Sequence, residues 1–398
     1  MGRSFAKATQ IPPLDNFTHA KSHRSYSIIQ RDGRSILRRA EPELERTIDY
    51  VIGSGNHSKT FAHLNTAGKL IELPLSLYGD KWAMSPGYDR PDHSDMRREV
   101  TDSCLFCHTS YPPAGPIDCE RCHSSGGGHF VNPAKLAPAR QLEVCLQCHL
   151  ESASRTLPEA IRRPGRDVFS YRPGEPLSDY KVYFEFANPP KEERITVNGA
   201  GYGLLKSKCF LRSEGRLQCT TCHDPHSSVV KAEACTSCHA PHNSPDCASC
   251  HMPKRRTEDA VHVAMTDHLI RKRPPPGDLL APLEERHDKI TGPVKLLYPS
   301  TLANPPQRIS EPTKVAQLNA TAIAYVGQSR FGEALALMQQ AVRLAPEDPV
   351  SWLNLGVCME AKGNMDGAAA AYSQAVVLQP EFARAKTYLM RLKKEKQK

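Results

Sequence analysis

Twelve of the 14 cysteines in this 398-residue chain fall into six C-x-x-C pairs, each followed at once by histidine. In chain order the motifs are Cys104, Cys107 and His108; Cys119, Cys122 and His123; Cys145, Cys148 and His149; Cys219, Cys222 and His223; Cys235, Cys238 and His239; and Cys247, Cys250 and His251. Histidine fills only 17 positions, so its recurrence at one fixed offset is not coincidence. Residues three apart on a helical turn share a face. Two sulfurs so placed can form thioethers to the two vinyl groups of a haem, while the adjacent imidazole reaches the iron. Structural zinc and thioredoxin-like thiols also use C-x-x-C pairs, yet neither requires histidine at that offset.

The motifs therefore predict six haem c groups, with the twelve cysteines as thioether donors and His108, His123, His149, His223, His239 and His251 as proximal ligands. Their starts, at 104, 119 and 145 and then at 219, 235 and 247, form two clusters of three. Such spacing brings neighbouring porphyrins close together, which suits electron hopping and needs no substrate pocket. Eleven histidines lie outside the motifs, enough to give every iron a second imidazole and leave it saturated and low-spin. His226 and His242 each follow a proximal histidine by three residues and cannot easily reach the far face of the same porphyrin, so they are assigned to an adjacent one. His262 and His268 follow the last motif closely enough to fold back on the second cluster. His19, His57, His93 and His129 complete the distal candidates, a hydrogen-bonded core or surface role being the alternative for each. His23, His63 and His287 rank below them. Asp224 and Asp267 are candidates to orient a ligand by accepting its other ring proton, with a surface salt bridge as the alternative. Of the leftover cysteines, Cys358 reads as a small buried apolar residue and Cys209 as a buried or reactive thiol.

Hydrophobic residues make up 39% and aromatics 7% of the chain, which is lean for a large side-chain core and consistent with porphyrin filling the interior. The 33 prolines and 24 glycines imply many turns. Strand-like runs occur at Ser25 to Arg31, Arg34 to Arg39, Thr47 to Ile52 and Leu70 to Tyr78, with a turn at Asp32-Gly33. This small β module is expected to pack beside the haems and to supply His19 or His57. Another alternating run, Val182 to Phe186, lies between the clusters. Near the C-terminus, Ala341-Val342-Arg343-Leu344-Ala345-Pro346 returns as Ala375-Val376-Val377-Leu378-Gln379-Pro380 at an offset of 34, the period of tetratricopeptide helix pairs. Two such repeats are fewer than a freestanding solenoid needs, so the module should lean on the haem domain or on another protein.

The net charge of +9 is spread along the sequence, which argues for solvated charge and against a nucleic-acid partner. Six haems would add about twelve propionate charges, offset in part by about one positive charge per ferric core, and bring the holoprotein near neutrality. No run approaches the roughly 18 to 20 apolar residues that cross a bilayer.

Clustered C-x-x-C-H sites, Tyr50-Val51-Ile52-Gly53-Ser54-Gly55, Cys222-His223-Asp224-Pro225-His226, His251-Met252-Pro253-Lys254 and Thr266-Asp267-His268 make the chain resemble the periplasmic multihaem c-type cytochromes that end in tetratricopeptide repeats. The resemblance implies a periplasmic or otherwise extracytoplasmic location. Residues 1 to 30 hold no apolar signal segment. In similar proteins a stretch like Met1-Gly2-Arg3-Ser4-Phe5-Ala6 follows an upstream signal, so Met1 is expected to be an internal methionine of an N-terminally incomplete gene product.

The expected fold is mixed: a small N-terminal β-containing module at 1–100, a loop-rich multihaem cytochrome c domain with short helices at 101–270, a Pro-rich linker at 271–312, and all-α tetratricopeptide repeats at 313–398. The expected function is electron transfer through six bis-histidine haems, with the repeats docking a redox partner protein. Two alternatives stand beside it: a multihaem oxidoreductase acting on a small nitrogen or sulfur compound at one open iron, and a haem-stabilised assembly or adaptor protein. An electron carrier is favoured over a catalyst because no motif marks an open iron.

Overall fold

Successive side chains on a strand point to opposite faces, and alternating apolar residues set the first part of the chain accordingly. The computed structural model describes residues 2–53, 57–111, 115–124, 129–150, 160–163, 166–188, 195–227, 229–240, 246–285, 293–298 and 311–395. Nine strands come first: β1 (Phe5–Lys7), β2 (Leu14–Thr18), β3 (Ser25–Arg31), β4 (Arg34–Arg39), β5 (Leu44–Thr47), β6 (Tyr50–Gly53), β7 (Ser58–Leu64), β8 (Leu70–Tyr78) and β9 (Lys81–Met84). Then follow α1 (Asp102–His108), α2 (Glu120–His123), α3 (Pro138–His149), β10 (Ala160–Arg162), α4 (Leu177–Tyr180), β11 (Lys181–Phe186), α5 (Ala200–Lys206), α6 (Lys208–Arg212), α7 (Cys219–Cys222) and α8 (Cys247–His251). The chain closes with β12 (Lys254–Arg256), β13 (Ala264–Thr266), β14 (Val294–Tyr298), α9 (Glu311–Gly327), α10 (Phe331–Leu344), α11 (Pro349–Ala361), α12 (Met365–Leu378) and α13 (Ala383–Glu395). Among the described residues no helix is long and apolar enough to cross a membrane.

Two compact units result. The first comprises Met1–Ser154, Asp167–Leu177 and Lys191–His287. Its first nine strands form two antiparallel sheets, ordered β1-β6-β7-β8-β9 and β2-β3-β4-β5, and β12 pairs with β13 in a third, two-stranded one. The β3–β4 hairpin turns through Asp32 and Gly33, both at positive φ, the backbone such tight hairpins require. Tyr26 and Ile28 of β3 and Leu37 of β4 enter one core with Phe61, Leu73 and Leu75 from the other sheet. The expected strand from Thr47 to Ile52 is in fact two. Ile48 N–H bonds Ser35 O while Asp49 N–H bonds Ala62 O, so the chain leaves one sheet and joins the other between β5 and β6.

The second unit comprises Arg155–Arg166, Ser178–Pro190 and Asp288–Lys398. It pairs β10, β11 and β14 in an antiparallel three-stranded sheet. Thus part of the segment read as a Pro-rich linker is strand, since Leu297 and Tyr298 of β14 are fully buried. Helices α9 with α10 and α11 with α12 repeat at the 34-residue offset: Ala334 and Ala368, Met338 and Tyr372, Ala341 and Ala375 are buried in register. Where the second copy has the bulky Tyr372, the facing helix carries Gly356 against its ring; the first copy uses Met338 and Ala322, keeping the combined volume close. A buried polar link ties α9 to α11: Asn319 Nδ2–H donates to Ser351 Oγ at 2.7 Å and Asn319 Oδ1 accepts from Asn354 Nδ2–H at 2.7 Å. Val182 and Phe184 of β11 pack against Ala320 of α9, so the repeats pack on a sheet of their own unit, built from strands that lie between and after the cysteine clusters, and not on the haem domain or second protein expected.

Candidate functional site

Five of the six C-x-x-C-H motifs sit on or at the edge of a short helix: α1, α2, the end of α3, α7 and α8. The fifth motif in chain order, Cys235 to His239, follows a single 3-10 turn. In the motifs that are not wholly inside a helix, the histidine N–H returns to the carbonyl of the first cysteine, at 2.9 Å for His123, 2.9 Å for His223 and 3.0 Å for His239. That closure is one helical turn, and it fixes both sulfurs and the imidazole as one local unit. After the first, second and fourth motifs the chain bends back into isolated antiparallel bridges, Thr109 with Pro116, Ser124 with Phe130 and His223 with Val230.

The twelve sulfurs, expected as thioether donors, differ in their surroundings. No disulfide joins any of them. Cys104, Cys119, Cys238 and Cys250 are exposed, whereas Cys107, Cys122, Cys145, Cys148, Cys219, Cys222, Cys235 and Cys247 are half-buried. Cys107 and Cys148 therefore sit against protein, on α1 and α3. Cys238 and Cys250 instead face solvent, each accepting a long contact from the serine before it, at 3.8 Å from Ser237 Oγ and 3.9 Å from Ser249 Oγ. Burial pushes the Cys122 thiol up to about 11 and also raises Cys222. Two contacts run from motif to motif. Cys145 of the third motif and Cys219 of the fourth share a thiol hydrogen bond that raises Cys145 and lowers Cys219. Cys235 of the fifth is raised by burial and, less strongly, by Cys247 of the sixth. The cause is tertiary approach, which the spacing of one motif does not encode. Among the described residues no three His, Cys, Asp or Glu side chains converge as a metal-holding group.

Backbone carbonyls set the ring orientation of several histidines. His123 Nδ1 lies 3.0 Å from Val131 O, His251 Nδ1 2.7 Å from Arg271 O, and His268 Nδ1 2.9 Å from Thr266 O. A carbonyl only accepts, so Nδ1 carries the proton and Nε2 keeps a lone pair for a metal. His108 Nδ1 is buried with no hydrogen-bond partner among the described residues. Burial holds the His108, His149 and His268 imidazoles below the ordinary histidine range, which favours the neutral, ligating form.

The two clusters meet where Cys145 approaches Cys219. Near them the His223 and His268 rings lie 6.1 Å apart between centroids at 24°. Helix α5 fits beside this region through two glycines. A Cβ on Gly201 would lie 3.0 Å from His149 O, and one on Gly203 would lie 2.7 Å from Leu269 N. Across the second motif, His123 faces His226 at 5.9 Å and 11° and carries Phe130 on its ring at 4.9 Å and 7°.

Arg121, between the two cysteines of the second motif, went unnoticed in the sequence; the available signal was a large cation inside a clamp whose spacers are otherwise small or apolar in most copies. It is 2% exposed. Its guanidinium lies 3.6 Å over the Tyr111 ring and 4.7 Å over Phe106, and Nη2–H donates to Thr109 O at 2.6 Å. Gln147 of α3 donates to Arg121 O at 3.3 Å. One residue thus joins the first three motifs.

His19, His93 and His262 gather elsewhere in the same unit. Asp89 lies 3.2 Å from His19 Nε2 and 3.1 Å from His262 Nε2, with Lys21 Nζ at 3.0 Å. Those hydrogen bonds, led by the one from His262, hold Asp89 well below the usual carboxylate range. Desolvation, and then the neighbouring Arg24 guanidinium, lowers buried His93 to about 4. His57 and His129 are exposed, and His63 bonds Asp49 at 3.0 Å. His242 and His287 lie outside the described residues. Asp267, for which an orienting role and a salt bridge were the two readings, forms the salt bridge, buried, with Arg255 at 2.8 Å and Arg271 at 3.1 Å, while Asp224 Oδ1 lies 3.9 Å from His226 Nδ1.

Exposed apolar side chains border the motifs: Phe130 is 73% exposed, Val229 61% and Val230 59%. Uncovered apolar surface beside paired thiols and oriented imidazoles matches the edge and faces of a porphyrin. The residues present therefore fit the group that the motifs imply.

Among known proteins, the tetratricopeptide repeat family matches residues 319–383. Among solved structures, the tetratricopeptide repeat domain of Arabidopsis OM64 is similar at 25% identity over 20% of this chain and 67% of that one, with a TM-score of 0.20. No curated protein matches the chain. The C-terminal helices are a tetratricopeptide repeat module, and such repeats dock other proteins.

Proposed function

We propose that the chain is a multihaem c-type cytochrome that carries electrons through six haem c groups outside the cytoplasm and docks its redox partner through the C-terminal repeats. The observation that carries this reading is the histidine placed at the same offset after all six C-x-x-C pairs. Cysteines on short helical turns, ring nitrogens fixed by carbonyls, and apolar side chains left open beside them support it. Bound haem supplies a one-electron ferric/ferrous couple. The chain's own part is to attach and orient. Sulfurs three apart hold the macrocycle edge, and carbonyls at Val131, Arg271 and Thr266 hold imidazoles in the tautomer that ligates through Nε2. Attachment requires Cys145 and Cys219 to give up their mutual hydrogen bond. For His19 and His262 to serve as ligands, each would have to give up its Nε2 bond to Asp89.

Exported protein made in a host that matures c-type cytochromes tests the proposal. Intact mass should show six covalent haem additions, and spectroelectrochemistry should show reversible reduction. Zinc in place of iron, or no added mass, overturns it. A fraction of high-spin iron that takes up a small nitrogen or sulfur compound would shift the reading to the oxidoreductase.

A further inference from the structure

We propose that the outer edge of β1 docks an extended segment of a partner protein, one that alternates acidic and apolar residues and adds to the sheet as a further strand. Strand β1 ends the order β1-β6-β7-β8-β9. Ser4 O accepts from Gly53 N–H, and Ala8 N–H donates to Asp49 O, so residues 4, 6 and 8 direct their main-chain groups at β6. Phe5 and Lys7, between them, turn theirs outward. Among the described residues those groups have no partner.

A cleft of about 730 Å3 lies along this edge, a volume in the range that buries a drug-sized ligand. Its walls come from both faces of the sheet. Ala6, Val51 and Phe61 are directly opposite one another across β1, β6 and β7 and so share one face. Phe5 and Tyr50, stacked at 5.0 Å and packed with Leu105, lie on the other. All six line the cleft. A cleft that touches both faces has to run past the edge, which is the path of an added strand. No motif cysteine or histidine lines it; α1 contributes Leu105 instead. The inference therefore stands apart from the haem reading.

Charge selects the partner. Arg3, Lys7 and Lys59 line the cleft, and among the described residues no Asp or Glu does. Elsewhere in the same unit Lys21, Arg31, Arg39 and Lys69 each pair with a carboxylate. Lys7 and Lys59 make no ion pair among the described residues. A lysine on an edge discourages pairing with an apolar strand or a second copy, and it complements a carboxylate placed opposite. In an added antiparallel strand, residues opposite Phe5 and Lys7 fall on the Lys7 side, where acids fit. The residue opposite Ala6 falls on the apolar row of Val51 and Phe61.

The test uses the full-length protein and three synthetic peptides: one alternating Glu and Val, one with Lys for each Glu, and one N-methylated at each Glu. Equilibrium dialysis reads affinity, and hydrogen exchange reads the Phe5 and Lys7 amides. The Glu-Val peptide should bind saturably and slow exchange at both amides, while the N-methylated peptide should not. Lys7→Glu, at an exposed position, should weaken the Glu-Val peptide about tenfold and shift preference to the Lys-Val peptide. No binding, or an affinity that Lys7→Glu leaves unchanged, overturns the proposal. Equal binding of the N-methylated peptide would mean that the cleft takes an apolar ligand without strand pairing, and the proposal fails. A dimer in sedimentation that Lys7→Glu breaks would assign the edge to a second copy and overturn it too.

Discussion

Glu72 shows how one side chain ties the first unit to pH. Its carboxyl is buried, and desolvation raises it to about 7 even though Arg98 lies 3.2 Å away; nearby Glu285 pushes the same way. An unfolded glutamate titrates near about 4.3. Because the folded value is the higher one, the protonated form favours the fold below about pH 4.3, and that contribution is lost as pH rises through about 7. Glu72→Gln should therefore stabilise the protein at pH 8, by up to about 3 kcal/mol, and do little at pH 4. Thermal melting of the full chain at the two pH values checks this, and an equal shift at both would show that the Arg98 pair, rather than burial, sets the balance. Nothing in the local sequence E-L-P-L-S-L announced the effect, because the cost arises from the strands that close over Glu72.

Individual elements were legible to the degree that their signals are local. Strands β3, β4 and β8 follow apolar alternation and turn chemistry at the residues expected. The helix pairs follow the 34-residue period. What local pattern does not encode is which sheet a strand joins, as the split between β5 and β6 shows, or that a proline-flanked segment supplies β14. The thiol motifs were legible as motifs, since their spacing is local to the sequence. Their unequal burial was not, because the cover over Cys107 and Cys148 and its lack over Cys238 and Cys250 depend on what the rest of the chain brings alongside. Partners of the outlying histidines likewise depend on tertiary approach: His226 meets His123 and His262 meets Asp89 across wide sequence gaps. At the level of helix pairing, Gly356 offers a direct test. A methyl there would enter the van der Waals envelope of the Tyr372 ring, whose hydroxyl is held 2.8 Å from Glu360. Gly356→Ala should lower stability by about 1–3 kcal/mol through overpacking, read as a shift in the denaturant midpoint of the second unit; no shift would mean that α11 and α12 separate easily.

At the scale of the whole molecule, the second unit is assembled from three stretches of sequence. A fragment of residues 312–398 would retain the repeats and lose the β10-β11-β14 sheet, through which Val182 and Phe184 pack on Ala320. Its unfolding midpoint in urea should fall below that of the same helices in the intact protein, with a broad transition. A sharp transition at the parental midpoint would show that the helices need no sheet.

The six buried residues of β11 leave the ribosome well before the helices that cover them. During synthesis this apolar strand waits, unshielded, until those helices arrive. A chain that stopped before β14 would leave β11 as an aggregation-prone edge with no lid.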